Sequence, residues 1–182
     1  MSGSRQTYHG TTILGLVRDG HACLGGDGQV TVGDTALKHT AKKIRRLNDG
    51  NVLVGFAGAV ADSLTLVDRF EAHLAKHPGR IERAAVDLAK EWRTDRHLSR
   101  LDATLCVVDR TKALLVAGSG EVVEPEDGLI AAGSGGIYAL SAARALVRHT
   151  QLPIRTIVEE SLRVAAETCI YSNDHFTIET LD

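Results

Sequence analysis

"YHGTTILGLVRDGHACLGGDGQV", Tyr8 to Val30, is the stretch on which the fold turns. Two short apolar runs, Thr12 to Val17 and His21 to Gly25, flank Asp19-Gly20, a pair suited to a tight hairpin turn. The segment therefore reads as strand, turn, strand. Ahead of it stands a polar leader, Met1 to Gly10, that ends directly before Thr11 and Thr12. Such a leader is either a frayed terminus or a piece to be removed, which would make a threonine the first residue.

Outward from the hairpin the pattern continues in strands. Val30 to Ala36 reads as a short hairpin, and Lys42 to Leu47 pairs with Val52 to Phe56 around Asn48 to Asn51. Helical spacing then takes over. Leu64, Val67 and Leu74 track one face until Pro78-Gly79, and Ile81, Ala85, Leu88 and Trp92 mark a second helix. Thr104 to Asp109, Ala113 to Ala117, Glu121 to Val123 and Leu129 to Ala132 return to strands. Ile137, Leu140, Ala143 and Val147 predict a third helix. Ile154, Leu162, Ala165 and Cys169 predict a fourth, with Pro153 tolerated in its first turn, and His175 to Glu179 is expected to close the chain as a strand. Strands and helices are grouped rather than alternating. That order favours an α+β protein with antiparallel sheets and helices packed outside. Two stacked sheets between two helical layers satisfy every apolar face.

Bulk composition excludes several classes of function. The 182 residues suit one domain, and a net charge of -2 provides no basic field for nucleic acid or an anionic membrane. Aromatics at 4% argue against base-stacking platforms. No apolar run approaches the ~20 residues of a membrane helix, and the first ten residues lack the apolar core of a secretory signal. Cys23, Cys106 and Cys169 are widely spaced in apolar segments and read as buried, reduced thiols, which favours a reducing compartment.

Several motifs suggest chemistry and fall short of it. His73 and His77 have zinc-ligand spacing on a helix, but "HLAKH" lacks the metalloprotease glutamate and a third ligand, so a solvated face is expected. "AAGSGGIYA", Ala131 to Ala139, puts glycines before a helix without a Walker lysine, which weighs against nucleotide binding. "GFAGAVAD", Gly55 to Asp62, is a second glycine turn of that kind. In "KKIRR", strand alternation puts Lys43 and Arg45 on one face and Lys42, Ile44 and Arg46 on the other, so one lysine can point inward. No serine or cysteine sits in a recognisable nucleophile elbow.

What remains is Thr11, Asp27, Lys43, Ser134 and two glycine turns, a set that makes sense for one chemistry. An N-terminal threonine carries its own base, an α-amino group with an ordinary pKa of ~7.7–8.0. A nearby lysine ammonium lowers that value further, and an aspartate holds the lysine. A glycine-turn N–H supplies an oxyanion hole, commonly worth ~10²–10³ in rate.

The blocks "TTILGL", "GGDGQVTVGDT", "KHTAKKIRRL", "VLVGFAGAVADSLTLVDRFE", "AAVDLAKEWRTDR" and "AAGSGGIYALSAARAL" resemble the HslV (ClpQ) family, the peptidase subunits of the bacterial proteasome-like protease HslVU. The likeness runs from Thr11 to about Leu181. It implies the four-layer αββα sandwich of N-terminal-nucleophile hydrolases, with residues 1–10 a propeptide and 11–182 a single peptidase domain. It also implies a homododecamer of two stacked hexamers in the cytoplasm. There the chain would degrade unfolded polypeptides with the ATPase ring HslU (ClpY), which would bind the nucleotide in place of this chain.

By position, the resemblance makes Thr11 the nucleophile, Lys43 the lysine beside it, Asp27 that lysine's partner and Ser134 a hydrogen-bonding serine near the threonine amine. Gly58, or alternatively Gly55, would supply the oxyanion N–H. A sodium ion would be held by the backbone carbonyls of Ala166, Cys169 and Ser172. The chain departs from the family in its ten-residue leader, in Ala166 where glycine is common, and in Cys169 where proteasome β subunits carry aspartate. Rival readings are a catalytically silent ring subunit and an amidase of the same fold acting on small amides.

Overall fold

The computed structural model describes residues 8–101 and 103–182. Its centre is the hairpin of β2 (Ile13–Arg18) and β3 (His21–Gly26), turned by Asp19 and Gly20 at φ 54° and 80°. Both turn residues at positive φ match the twist that a two-residue hairpin requires. β11 (Leu129–Ala132) and β12 (Thr177–Leu181) flank this pair, giving an antiparallel sheet in the order β11-β2-β3-β12. The last strand starts two residues later than the sequence pattern suggests.

A second antiparallel sheet runs β10-β9-β8-β7-β6, from β6 (Ile44–Leu47), β7 (Val52–Gly58), β8 (Ala103–Val108), β9 (Ala113–Ala117) and β10 (Val122–Val123). Helices α1 (Val60–Lys76) and α2 (Ile81–Thr94) cover it. Helices α3 (Gly136–His149) and α4 (Ile154–Thr168) cover the first sheet. The result is a four-layer αββα sandwich.

Strand alternation builds three cores. Ile13 and Leu24 join Leu53, Cys106 and Val108 between the sheets. Leu14, Leu16 and Cys23 face α3 and α4 with Ile157, Val158 and Leu162. Val54, Phe56, Leu105 and Val107 face α1 and α2 with Phe70, Leu88 and Trp92. A fully buried Leu, Ile or Phe contributes about 1.5–3 kcal/mol over an exposed one. A one-residue slip would exchange the two faces of β2 or β7, so the register is strongly determined.

A small third sheet runs in the order β1-β4-β5: β1 (Tyr8–His9), β4 (Val30–Val32) and β5 (Thr35–Lys38). The β4–β5 hairpin matches the sequence pattern; β1 does not. The end of the leader is strand, with Tyr8 opposite Val32 and His9 opposite Thr31. Leader residues 1–7 lie outside the described residues.

Candidate active site

Thr11 and Thr12 immediately precede β2, and Asp27 immediately follows its partner β3. The pairing runs one step past Ile13 and Gly26, because the Asp27 N–H donates to the Thr12 carbonyl at 3.1 Å. In return the Asp27 carboxylate (Oδ1) accepts the Thr12 N–H at 2.7 Å. The hairpin register thus delivers a carboxylate to the threonines.

Lys43 comes to the same place by a different route. The alternation argument fails there, because β6 begins only at Ile44. Lys43 and Ile44 are both buried while Arg45 and Arg46 are both exposed. Lys43 lies in the approach to the strand, where the period of two does not apply. Its ammonium donates to Asp27 Oδ1 at 2.8 Å, to the Gly10 carbonyl at 2.9 Å and to the Gln29 carbonyl at 2.5 Å. Those bonds use all three of its donors. Lys43 and Asp27 are only 4% and 1% exposed. Burial holds the Lys43 pKa below its ordinary value, against the opposing pull of Asp27. Asp27 Oδ2 is itself engaged by the N–H groups of Gln29 at 3.0 Å and Asn173 at 3.4 Å.

The Thr11 hydroxyl donates to the carbonyl of its own predecessor, Gly10, at 2.8 Å. Gly10 sits at φ +107°, and a Cβ there would come within 2.7 Å of Thr31 Oγ1. Both facts call for glycine. The Gly10 oxygen therefore receives the Thr11 hydroxyl and the lysine ammonium together.

The glycine turn before α3 packs on the same strand. Gly133 has φ +85°, and a Cβ on it would lie 2.1 Å from the Thr11 carbonyl oxygen. Ser134 follows, half-buried; its hydroxyl makes no hydrogen bond among the described residues. Gly58 closes β7 at φ +121° and is exposed. Three residues earlier, a Cβ on Gly55 would come within 2.8 Å of the Ile13 side chain, so β7 passes close to the threonine strand.

The proteasome subunit family matches residues 7–181. The chain belongs to the proteasome-subunit family. It is 54% identical over 175 residues to the ATP-dependent protease subunit HslV of Chlorobium luteolum, covering 96% of each chain. It is also similar to the crystal structure of eukaryotic HslV from Trypanosoma brucei, at TM-score 0.90 and 42% identity over 94% of this chain and 99% of that one. A Thiobacillus denitrificans protein, BPH, solved in complex with epoxomicin, shares the fold at TM-score 0.75 and 21% identity over 94% and 98% of the two chains.

In this proteasome-family subunit the remaining residues singled out in the sequence fall as follows. Ala166 is in the last turn of α4, Cys169 caps that helix outside it, and Ser172 follows in the next turn. The Cys169 carbonyl accepts the Ser172 N–H at 3.0 Å. The Ser172 hydroxyl is hydrogen-bonded to Thr12 Oγ1, so the end of α4 touches the threonine strand. His73 and His77 pair with Glu91 at 2.7 Å and Asp87 at 2.8 Å, joining α1 to α2. No cluster of three potential metal-binding side chains exists among the described residues. Sequence reasoning passed over Gln29 and Asn173. Each makes site contacts with residues about 140 positions away, which no local pattern signals.

Proposed function

We propose that this chain is the threonine-type endopeptidase subunit of a two-component, ATP-dependent protease, and that its leader is removed by Thr11. The observation that carries the reading is the convergence of Thr11 Oγ1 and Lys43 Nζ on the Gly10 carbonyl oxygen. Lys43 draws electron density toward that oxygen and stabilises the charge that develops on it. Thr11 Oγ1 adds to the Gly10 carbonyl carbon, the Gly10–Thr11 C–N bond breaks, and the hydroxyl proton passes to the departing nitrogen. The product is an ester between Gly10 and the Thr11 oxygen, with a free Thr11 amine. Water then opens the ester, leaving a Gly10 carboxylate and restoring the hydroxyl.

Before this cleavage the Thr11 nitrogen is an amide and cannot act as a base. Afterwards the amine takes the Oγ1 proton, and the same hydroxyl attacks a substrate carbonyl. Lys43 keeps the amine from being protonated, and Asp27 keeps Lys43 in place. The Gly58 N–H is assigned to the substrate oxyanion and Ser134 to the amine.

The substrates are unfolded polypeptides. ATP is used by a partner ring ATPase of the HslU type, a reading supported by the likeness to an ATP-dependent protease subunit. The working form is a double hexamer in the cytoplasm. A sodium ion bound by the Ala166, Cys169 and Ser172 carbonyls fits the end of α4. Of the three, the Ala166 carbonyl lies in the last helical turn, where carbonyls lack intrahelical donors, and an oxygen-only set suits a hard cation. That ion would hold the turn in shape and takes no part in the bond changes above.

A silent ring subunit is disfavoured by the complete Thr11, Asp27 and Lys43 network. N-terminal sequencing and peptide hydrolysis of wild type, Thr11→Ala and Thr12→Ala test the reading. Wild type and Thr12→Ala should begin at residue 11, and Thr11→Ala should keep the leader and be inactive. An assembled wild type that keeps Met1 to Gly10 and still cleaves peptides would overturn it.

A further inference from the structure

We infer that Gln29 is a positioning residue for Lys43, tethering the lysine's surroundings to the loop that follows α4. The inference rests on the peptidase reading above and extends it to a residue with no assigned role.

Gln29 is a buried polar residue, 7% exposed, and three of its groups are directed at the site or its support. Its carbonyl accepts from Lys43 Nζ at 2.5 Å, and its N–H donates to Asp27 Oδ2 at 3.0 Å. One peptide segment therefore holds both the lysine and the lysine's carboxylate. The side chain anchors that segment. Its amide nitrogen donates to Thr31 Oγ1 at 3.0 Å and to the Ile170 carbonyl at 3.0 Å. Both amide protons are used, which explains an amide at this position: a carboxylate would set negative charge against the Ile170 carbonyl, and an aliphatic side chain would leave that carbonyl without this donor.

Ile170 lies in the turn between Cys169 and Ser172, and its side chain is 81% exposed while its carbonyl reaches inward. Asn173 reinforces the link, accepting the Gly28 N–H at 3.1 Å and donating its own N–H to Asp27. A shift of the α4 end thus reaches Lys43 through Gln29. The charged side chain facing Lys43 is Asp27; its other described partners are the neutral carbonyls of Gln29 and Gly10, and in the processed chain the titratable Thr11 amine replaces the Gly10 peptide beside it. Truncating the Gln29 side chain keeps this carbonyl but releases the segment that carries it; a carbonyl drawn away from Lys43 leaves one acceptor fewer for an ammonium that burial already disfavours, so Lys43 would give up its proton at lower pH.

The test uses assembled, processed rings with their ATPase partner and ATP, a fluorogenic peptide, and the variants Gln29→Ala and Gln29→Met. The expected result is a fall in kcat of about tenfold or more with KM within about twofold, the signature of lost transition-state positioning. The alkaline limb of the kcat–pH profile should also move down by about half a unit or more. Wild-type kcat and an unmoved alkaline limb would overturn the inference, and so would a loss confined to KM. Failure of both variants to assemble would also overturn it, by making Gln29 a residue of the fold alone. Thr11→Ala is measured alongside: activity surviving there would refute the peptidase reading itself.

Discussion

Thr11 and Lys43 meet at one atom. The hydroxyl of the first and the ammonium of the second both donate to the Gly10 carbonyl oxygen, at 2.8 and 2.9 Å. The neighbouring Lys42 is exposed and takes no part.

Replacing Lys43 should therefore affect two reactions together. Lys43→Ala is expected to retain the leader and to lose peptide hydrolysis by about 10²–10³-fold or more, with ring assembly intact. Lys42→Ala should behave as wild type. Intact mass, size-exclusion chromatography and a peptide assay read all three properties. A processed, fully active Lys43→Ala ring would remove the lysine from the mechanism.

Gly133 is held to glycine by its backbone and by the Thr11 carbonyl. Gly133→Ala should cost roughly 1–3 kcal/mol of backbone strain, plus the displacement needed to relieve a Cβ placed 2.1 Å from that oxygen. Gly79 supplies the comparison, at φ +69° with nothing within 4 Å of its Cβ position. Thermal unfolding should fall further for Gly133→Ala than for Gly79→Ala, and only the former should process slowly.

The partner ATPase is expected to reach the end of α2. A hollow of about 360 Å³ there is lined by Val86, Ala89, Lys90, Arg93, Gly120 and Val122. Lys90 and Arg93 are exposed on the helix, whereas Arg96 lies past its end at Thr94, so helical spacing does not extend to it. Their cations suit a partner's terminal carboxylate. Charge reversal at Lys90 and Arg93 should abolish ATP-stimulated proteolysis and spare basal peptide cleavage. Equal loss of both activities would point to damaged folding.

Exchange of the monovalent cation probes the α4 end. Activity should be higher in sodium than in a bulky organic cation at equal ionic strength. Equal rates in sodium, potassium and the organic ion would show that the three carbonyls need no cation for function.

Burial pushes the Cys106 thiol up to about 12 from an ordinary 9.0, and Cys23 likewise. A thiol that holds its proton longer when folded contributes stability that is intact below about pH 9 and is lost as pH rises toward 12. Urea midpoints measured from pH 8 to 11 should fall less steeply for Cys106→Ala than for wild type. Parallel slopes would contradict the assignment.

Most of the layering was legible in the sequence because alternation and helical spacing are local. Ile13 against Leu14, or Leu53 against Val54, announces two cores without knowledge of either partner. Lys43 shows the limit: inward placement was anticipated from an alternation that does not operate there, and a turn of coil ahead of β6 delivers it instead. Thr11, Asp27 and Lys43 emerged by elimination and resemblance. Gln29 and Asn173 did not, since their importance resides in hydrogen bonds to or from a loop far along the chain. The leader's strand was equally hidden, because two residues paired across a gap leave no periodicity.

That strand has a further consequence. β4 has β5 on one side and Tyr8–His9 on the other. On the proposed removal of the leader, the second side would become a vacant edge, with the amides and carbonyls of β4 unpaired near Thr11. A vacant edge invites any extended backbone to add itself as a strand. The proposed protease thus matures carrying the imprint of its own removed segment. An imprint made by main chain admits visitors by their extension more than by their side chains.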